Sequence, residues 1–243
     1  MTKLLKEIIK IVDYNLNVKD LKKNLTNGDV LITKKSLENE IKLGNNTTLE
    51  DVKIVLDGND NVLVIEDETE LHDCVIYAKG NSNSIHIGKS CNLQGTYIMC
   101  IDNNNSVSLA GNCTINGEFW GNVYLHTMEG TKIKLGYDCM LSGNITIRTT
   151  DGHAIIDDKG NRINIPKNIE IGNHVWIGMN CMLLKGTNIG NGCIVGANSV
   201  VTKKYTEEYK MIAGNPAKIV NSEMIFDWKR EKGFEFKSED FRN

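Results

Sequence analysis

The residues of this 243-residue chain best suited to chemistry are Asp151-Gly152-His153. A neutral imidazole can take a proton from a hydroxyl while that hydroxyl attacks a carbonyl, and histidine changes charge near neutral pH. Gly152 permits a sharp turn beside the ring. Asp151, or another carboxylate, could orient it. Spacing alone leaves two readings of His153 open, a general base or a solvated loop histidine. Two further features sit elsewhere. Phe119-Trp120 offers aromatic faces that suit a sugar ring or a neighbouring subunit, and Trp228-Lys229-Arg230-Glu231-Lys232 reads as a solvated helix face.

The scaffold that must hold His153 is written in a different period. Aliphatic residues fall every sixth place at Ile171, Ile177, Leu183, Ile189, Val195 and Val201, and glycine follows four of them. Six suits neither a helix nor an ordinary strand. It suits a triangular coil of short parallel strands, three strands or eighteen residues to a turn. Looser copies begin at Ile41, Leu63, Ile85 and Val107, 22 residues apart, and then at Ile133 and Ile169 after steps of 26 and 36. The residues beyond eighteen fit turn-prone stretches such as Gly58-Asn59-Asp60-Asn61 and Asp102-Asn103-Asn104-Asn105. The pattern predicts an all-β solenoid of about seven coils over 38–205, burying a core only by stacking. The longest step contains an inserted loop at about 148–168, which carries His153. A long insertion in a regular scaffold is where function is sought.

The flanks read differently. Met1–Leu16 interrupts its apolar residues with Lys3, Lys6, Lys10 and Asp13, so 1–37 is expected to be a helical segment packed on the solenoid. It has neither a signal peptide's apolar run nor the length to cross a membrane, and no membrane insertion is expected. The extension 206–243 is expected to hold a helix over Ser222–Lys232, N-capped by Ser222 and covering an open end of the stack. A net charge of -3 argues against a nucleic-acid binder. Of the seven cysteines, Cys91, Cys113, Cys139, Cys181 and Cys193 occupy a corner slot that Thr47, Thr69, Val175, Thr187 and Ser199 fill in other copies. No C-x-x-C occurs. They read as small buried filler in a cytoplasmic protein.

The block Ile169–Val220, with Asn173-His174-Val175-Trp176-Ile177-Gly178 and Ala213-Gly214-Asn215-Pro216-Ala217-Lys218, resembles the hexapeptide-repeat acyltransferases. The Asp151-Gly152-His153 loop before it resembles the members that O-acetylate sugars of bacterial surface polysaccharides, including sialic acid polymers. The resemblance implies a left-handed parallel β-helix, a homotrimer, acetyl-CoA as co-substrate and a carbohydrate acceptor. It implies His153 as general base and places Trp176 near the acetyl end of the cofactor or the acceptor. Backbone around Met179 and Ala197 is implied to contact the pantetheine arm. Thr202, Lys203 and Lys218 are implied to face the nucleotide and phosphates, which lysines neutralise. Asn221 stands where some relatives carry a second basic residue. Zinc-dependent carbonic anhydrases share this solenoid, but they resemble a pattern with two histidines five places apart. His72, His86, His126, His153 and His174 contain no such pair, and no metal is expected. Two rival functions remain. An N-acetyltransferase of amino sugars or a drug acetyltransferase shares every cofactor residue. A non-catalytic assembly module is disfavoured by the histidine loop.

Overall fold

The computed structural model describes residues 9–11, 30–117, 121–222, 224 and 226–227. Each coil lays down three short strands in turn, and each strand pairs in parallel with its counterpart one coil on. Among the described residues the first sheet gathers nine strands, beginning with Ile9–Ile11 and Val30–Lys34. The second, from Glu40–Leu43, has eight, and the third, from Thr48–Glu50, has nine. The result is a parallel β-solenoid of triangular section with three faces and three corners. Hydrogen bonds between neighbouring coils join residues 22 apart early in the chain, 26 and 36 apart around the insertion, and 18 apart after it. These are the steps of the sequence repeat.

Alternate residues of each strand turn inward and stack on their equivalents, one in the shortest strands and up to three in the longest. Leu49, Leu71, Leu93, Ile115, Leu141, Ile177 and Val195 form such a column on the third sheet, all fully buried. Each aliphatic side chain so buried contributes about 1.5–3 kcal/mol, so the core is supplied by stacking alone. The corner between the first and second sheets is polar. Asn39, Asn61, Asn83 and Asn105 are buried there in a ladder, each giving its backbone N–H and side-chain amide to the Oδ1 of the one before. Gly58 makes the same corner possible. Its φ is 120°, and a Cβ there would lie 2.0 Å from the Gly80 carbonyl oxygen. All seven cysteines are buried and unpaired. Cys113, Cys139 and Cys181 donate to the carbonyls of Gly136, Gly172 and Gly196, each at 3.2 Å. Burial pushes the Cys74 thiol up to about 12, far from the reactive thiolate.

The flanks differ from expectation. Ile9–Ile11 and Val30–Lys34 are strands, so the stack begins before residue 38 and holds about one coil more than the repeats mark. Val30 and Ile32 are buried with Leu31 between them facing outward, a period of two. An open sheet edge offers backbone partners that an isolated amphipathic segment lacks, and it takes the chain as strand. At the other end, Lys210–Gly214 continues the third sheet and Ala217–Ser222 folds back on it antiparallel. Ser222 therefore ends a strand instead of capping a helix. No α-helix occurs among the described residues. The remainder of the two expected helices lies outside them, as do Phe119 and Trp120.

Candidate active site

The inserted arm leaves the solenoid at the corner between the first and second sheets. Strand Thr146–Arg148 closes the first sheet side and Ile169–Ile171 opens the second. The asparagine ladder ends here. Thr131 donates its backbone N–H to Asn105 Oδ1, and its hydroxyl meets that of buried Thr149 at 2.5 Å. The Lys167 N–H donates to the Thr149 carbonyl at 3.0 Å and closes the neck of the arm. Further out the arm folds on itself: Ile156 bridges Arg162 in antiparallel fashion, and the Ile163 N–H donates to the Ile155 carbonyl at 2.9 Å.

Two side chains pin this arm. Asn164, buried in an otherwise exposed segment, donates to the His153 carbonyl at 2.7 Å and to Asp151 Oδ2 at 2.8 Å. Its own oxygen accepts the Ile155 N–H at 2.8 Å and Arg162 Nε at 3.2 Å. Glu129, on the preceding coil, accepts from both terminal guanidinium nitrogens of Arg162 and from the Thr150 hydroxyl. Arg162 foremost, and then Thr150, hold the Glu129 carboxyl down to about 2. A bidentate charge-assisted pair of this kind fixes direction as well as distance.

His153 stands exposed at the turn so formed. Gly152 has a φ of 81°, and its N–H donates to Thr150 Oγ1 at 3.1 Å. Among the described residues no side chain bonds the His153 ring. Asp151 does not orient it; its carboxylate is taken by Lys185 Nζ and Asn164, and Lys185 foremost holds it below the usual carboxylate range. The arm is thus positioned through its backbone while the imidazole stays open to a reactant.

The remaining expected site residues divide into two groups. Thr202 and Lys203 lie on the same corner as the arm, two coils on, in a cleft of about 480 Å³ lined also by Lys167, Lys185 and Lys204. Lys185 joins that cleft to Asp151. Trp176 instead faces outward on the third sheet, half-buried, with its indole N–H donating to Ser142 Oγ at 3.4 Å and Phe226 5.9 Å away. Met179 and exposed Ala197 stack at the corner between the third and first sheets, where the Asn198 N–H donates to the Met179 carbonyl. Exposed Lys218 lies on the closing hairpin of the third sheet. In a triangular section a corner stands opposite a face. One chain therefore does not bring His153 to its own Trp176.

His174 is a structural residue. Its Nδ1 lies 2.6 Å from Asp138 and its Nε2 3.1 Å from the Phe226 carbonyl, with the ring stacked on Phe226 at 4.2 Å. His72 and His86 pair with Glu50 and Glu66 on the solenoid surface.

Comparison with known proteins agrees with this architecture. The family model of bacterial transferase hexapeptide repeats matches residues 168–203. The crystal structure of the polysialic acid O-acetyltransferase OatWY superposes with a TM-score of 0.78 at 30% identity, covering 87% of this chain and 96% of that one. The chain belongs to the bacterial hexapeptide-repeat acyltransferases. A second member, the polysialic-acid-specific acetyltransferase NeuO, superposes with a TM-score of 0.74 at 27% identity over 97% of this chain and 95% of that chain. The polysialic acid O-acetyltransferase of Escherichia coli O1:K1 / APEC is 35% identical over 111 residues, 45% of this chain. That match spans 35% of the curated relative's length.

Sequence reading singled out His153 and Asp151 but passed over the residues that hold them. Glu129, Arg162, Asn164 and Lys185 were visible only as polar residues of a corner and a loop. One signal was available: Glu129 interrupts a corner that is asparagine-rich in earlier coils, one coil before the insertion.

Proposed function

We propose that this acyltransferase is a cytoplasmic, acetyl-CoA-dependent O-acetyltransferase acting on a sugar hydroxyl of a bacterial surface polysaccharide or its precursor. The observation that carries the reading is an open imidazole on a rigidly pinned arm, in a chain that spans 96% of a polysialic acid O-acetyltransferase. His153 takes the proton of the acceptor hydroxyl as its oxygen bonds to the thioester carbonyl carbon. A backbone amide holds the oxyanion. The carbon–sulfur bond then breaks, and the departing thiolate takes up the proton from His153, leaving an acetyl ester and CoA. No covalent enzyme intermediate is needed.

The donor fits residues on two sides of the molecule. Lys203 and Thr202 in the lysine-lined cleft suit its phosphates, as does Lys218, and the turns at Met179 and Ala197, at the corner between the third and first sheets, suit the pantetheine arm. Because these groups sit partly on the arm corner and partly on and beside the third sheet, the complete site needs two copies of the chain. A homotrimer supplies three such sites around one axis. The arm supports this assembly: Ile155, Ile156, Ile163 and Ile165 are each more than half exposed. Such an apolar cluster asks for cover, and a neighbouring copy offers Trp176 beneath it. Seven buried, unpaired cysteines accord with a reducing compartment.

The test is incubation with acetyl-CoA and, in turn, polysialic acid, neutral polysaccharides and amino-sugar nucleotides. Release of CoA thiol with formation of an alkali-labile ester on a polysaccharide is expected. Stable amides formed only on amino sugars would overturn the assignment in favour of N-acetylation.

A further inference from the structure

Strand Thr146–Arg148 ends at the base of the arm, and its two outward residues belong to a patch that the reaction so far does not use. Thr146 is in register with Tyr124 on one side and Met182 on the other, and Arg148 with His126 and Leu184. Tyr124 is in turn in register with Tyr97, and the two rings lie 5.1 Å apart at a tilt of 35°. This makes an aromatic step, partly open to solvent, on the first sheet.

Arg148 connects that step to the arm. Its Nη2 lies 3.4 Å from where a Cβ on Gly152 would stand, so the guanidinium sits directly against the turn that presents His153. It acts on the Asp151 carboxylate through space without touching it. Asp151 is engaged by Lys185 and Asn164, and Glu129 by Arg162 and Thr150. Among the described residues no carboxylate lies within ion-pair distance of Arg148. Its Nε is shielded from solvent and meets no acceptor, and the same holds for His126 Nε2 beside it. Burial, and then Arg148 itself, hold His126 below the ordinary histidine value, which leaves Arg148 as the cation of the patch. A partly buried guanidinium with no carboxylate in direct contact is well matched to a carboxylate brought by a ligand. The donor's phosphates do not supply that anion, because the pantetheine arm separates them from the thioester that must reach His153.

We propose that Arg148 recognises the carboxylate of an acidic sugar in the acceptor chain, with sugar rings lying against Tyr124 and Tyr97, so that a hydroxyl of that segment reaches His153. This rests on the acetyl transfer proposed above and names its acceptor as an acidic glycan. Sugar rings stack on aromatic faces, and the fork of arginine reads a carboxylate through two parallel hydrogen bonds.

The experiment compares polysialic acid with its carboxyl-reduced, neutral form as acceptors, for the unmodified enzyme, Arg148→Met and Arg148→Lys. The unmodified enzyme should prefer the acidic polymer. In Arg148→Met the preference in kcat/KM should fall roughly 10- to 100-fold, through KM for the acceptor, as expected for a lost charge-assisted contact. KM for acetyl-CoA should not follow. Arg148→Lys should keep an intermediate preference, showing that the fold tolerates change at this position. If the preference survives in Arg148→Met, or any loss is shared equally by both polymers, the assignment of Arg148 is overturned while the transferase reading stands. If Arg148→Met instead breaks the oligomer with its preference intact, the face is a subunit contact and the proposal fails. An unmodified enzyme that acetylates neither polymer overturns the functional reading as well.

Discussion

His153 is held by everything except its ring. Asn164 fixes its carbonyl and Gly152 its turn, and the imidazole projects with no partner among the described residues. An assigned general base should therefore be separable from binding. His153→Ala is expected to lose about 10²–10⁴-fold in turnover while KM for acetyl-CoA changes little. His174→Ala is the matched control. It removes the bonds to Asp138 and the Phe226 carbonyl, so it should lower the thermal midpoint and keep its turnover in folded protein. Steady-state kinetics and thermal melts of the two variants check this, and the reverse pattern would move the site to the third sheet. The sequence showed His153 because a histidine next to glycine inside a break in a strict repeat stands out locally. It did not show Asn164 or Glu129, whose partners lie 11 and 33 residues away and are set by how the coils stack.

At the scale of the element, the arm behaves as a rigid bracket whose main clamp is electrostatic. The Glu129 carboxyl titrates at about 2 in the folded arm against an ordinary value of 4.5. Its folded value is depressed, so its stabilisation is complete above 4.5 and is lost as pH falls from there toward 2. Arm anchorage should thus be constant across the neutral range and fail only in acid. Hydrogen exchange at the Ile155 and Ile163 amides reads this directly. Glu129→Gln should lose protection there at pH 7 while the core strands keep theirs; equal protection in both proteins would show that the clamp is not Glu129. The solenoid strands were legible in the sequence because inward aliphatic residues recur at a fixed period from coil to coil. Val30–Lys34 was not, since only the open edge of the next coil makes it a strand. The asparagine corners were legible for a local reason, their left-handed turns at Asp60, Ser82 and Asn104.

Across the whole molecule, the arm and the third sheet of one chain point away from each other, so the proposed site needs two copies to meet. The proposed trimer of 27.1 kDa chains has a mass of about 81 kDa. Its most direct test is complementation. His153→Ala and Trp176→Ala are each expected to form inactive trimers, one lacking the base and the other the aromatic residue of the opposing face. Co-expressed in equal amounts and purified together, they should regain about a quarter of the unmodified turnover, because one interface in four then pairs an intact His153 with an intact Trp176 from its neighbour. Acetyl ester formed per mole of total trimer, mixed and unmixed together, is the measurement. Recovery near that fraction is the predicted result. Mixed trimers no more active than either parent would contradict a site shared between copies.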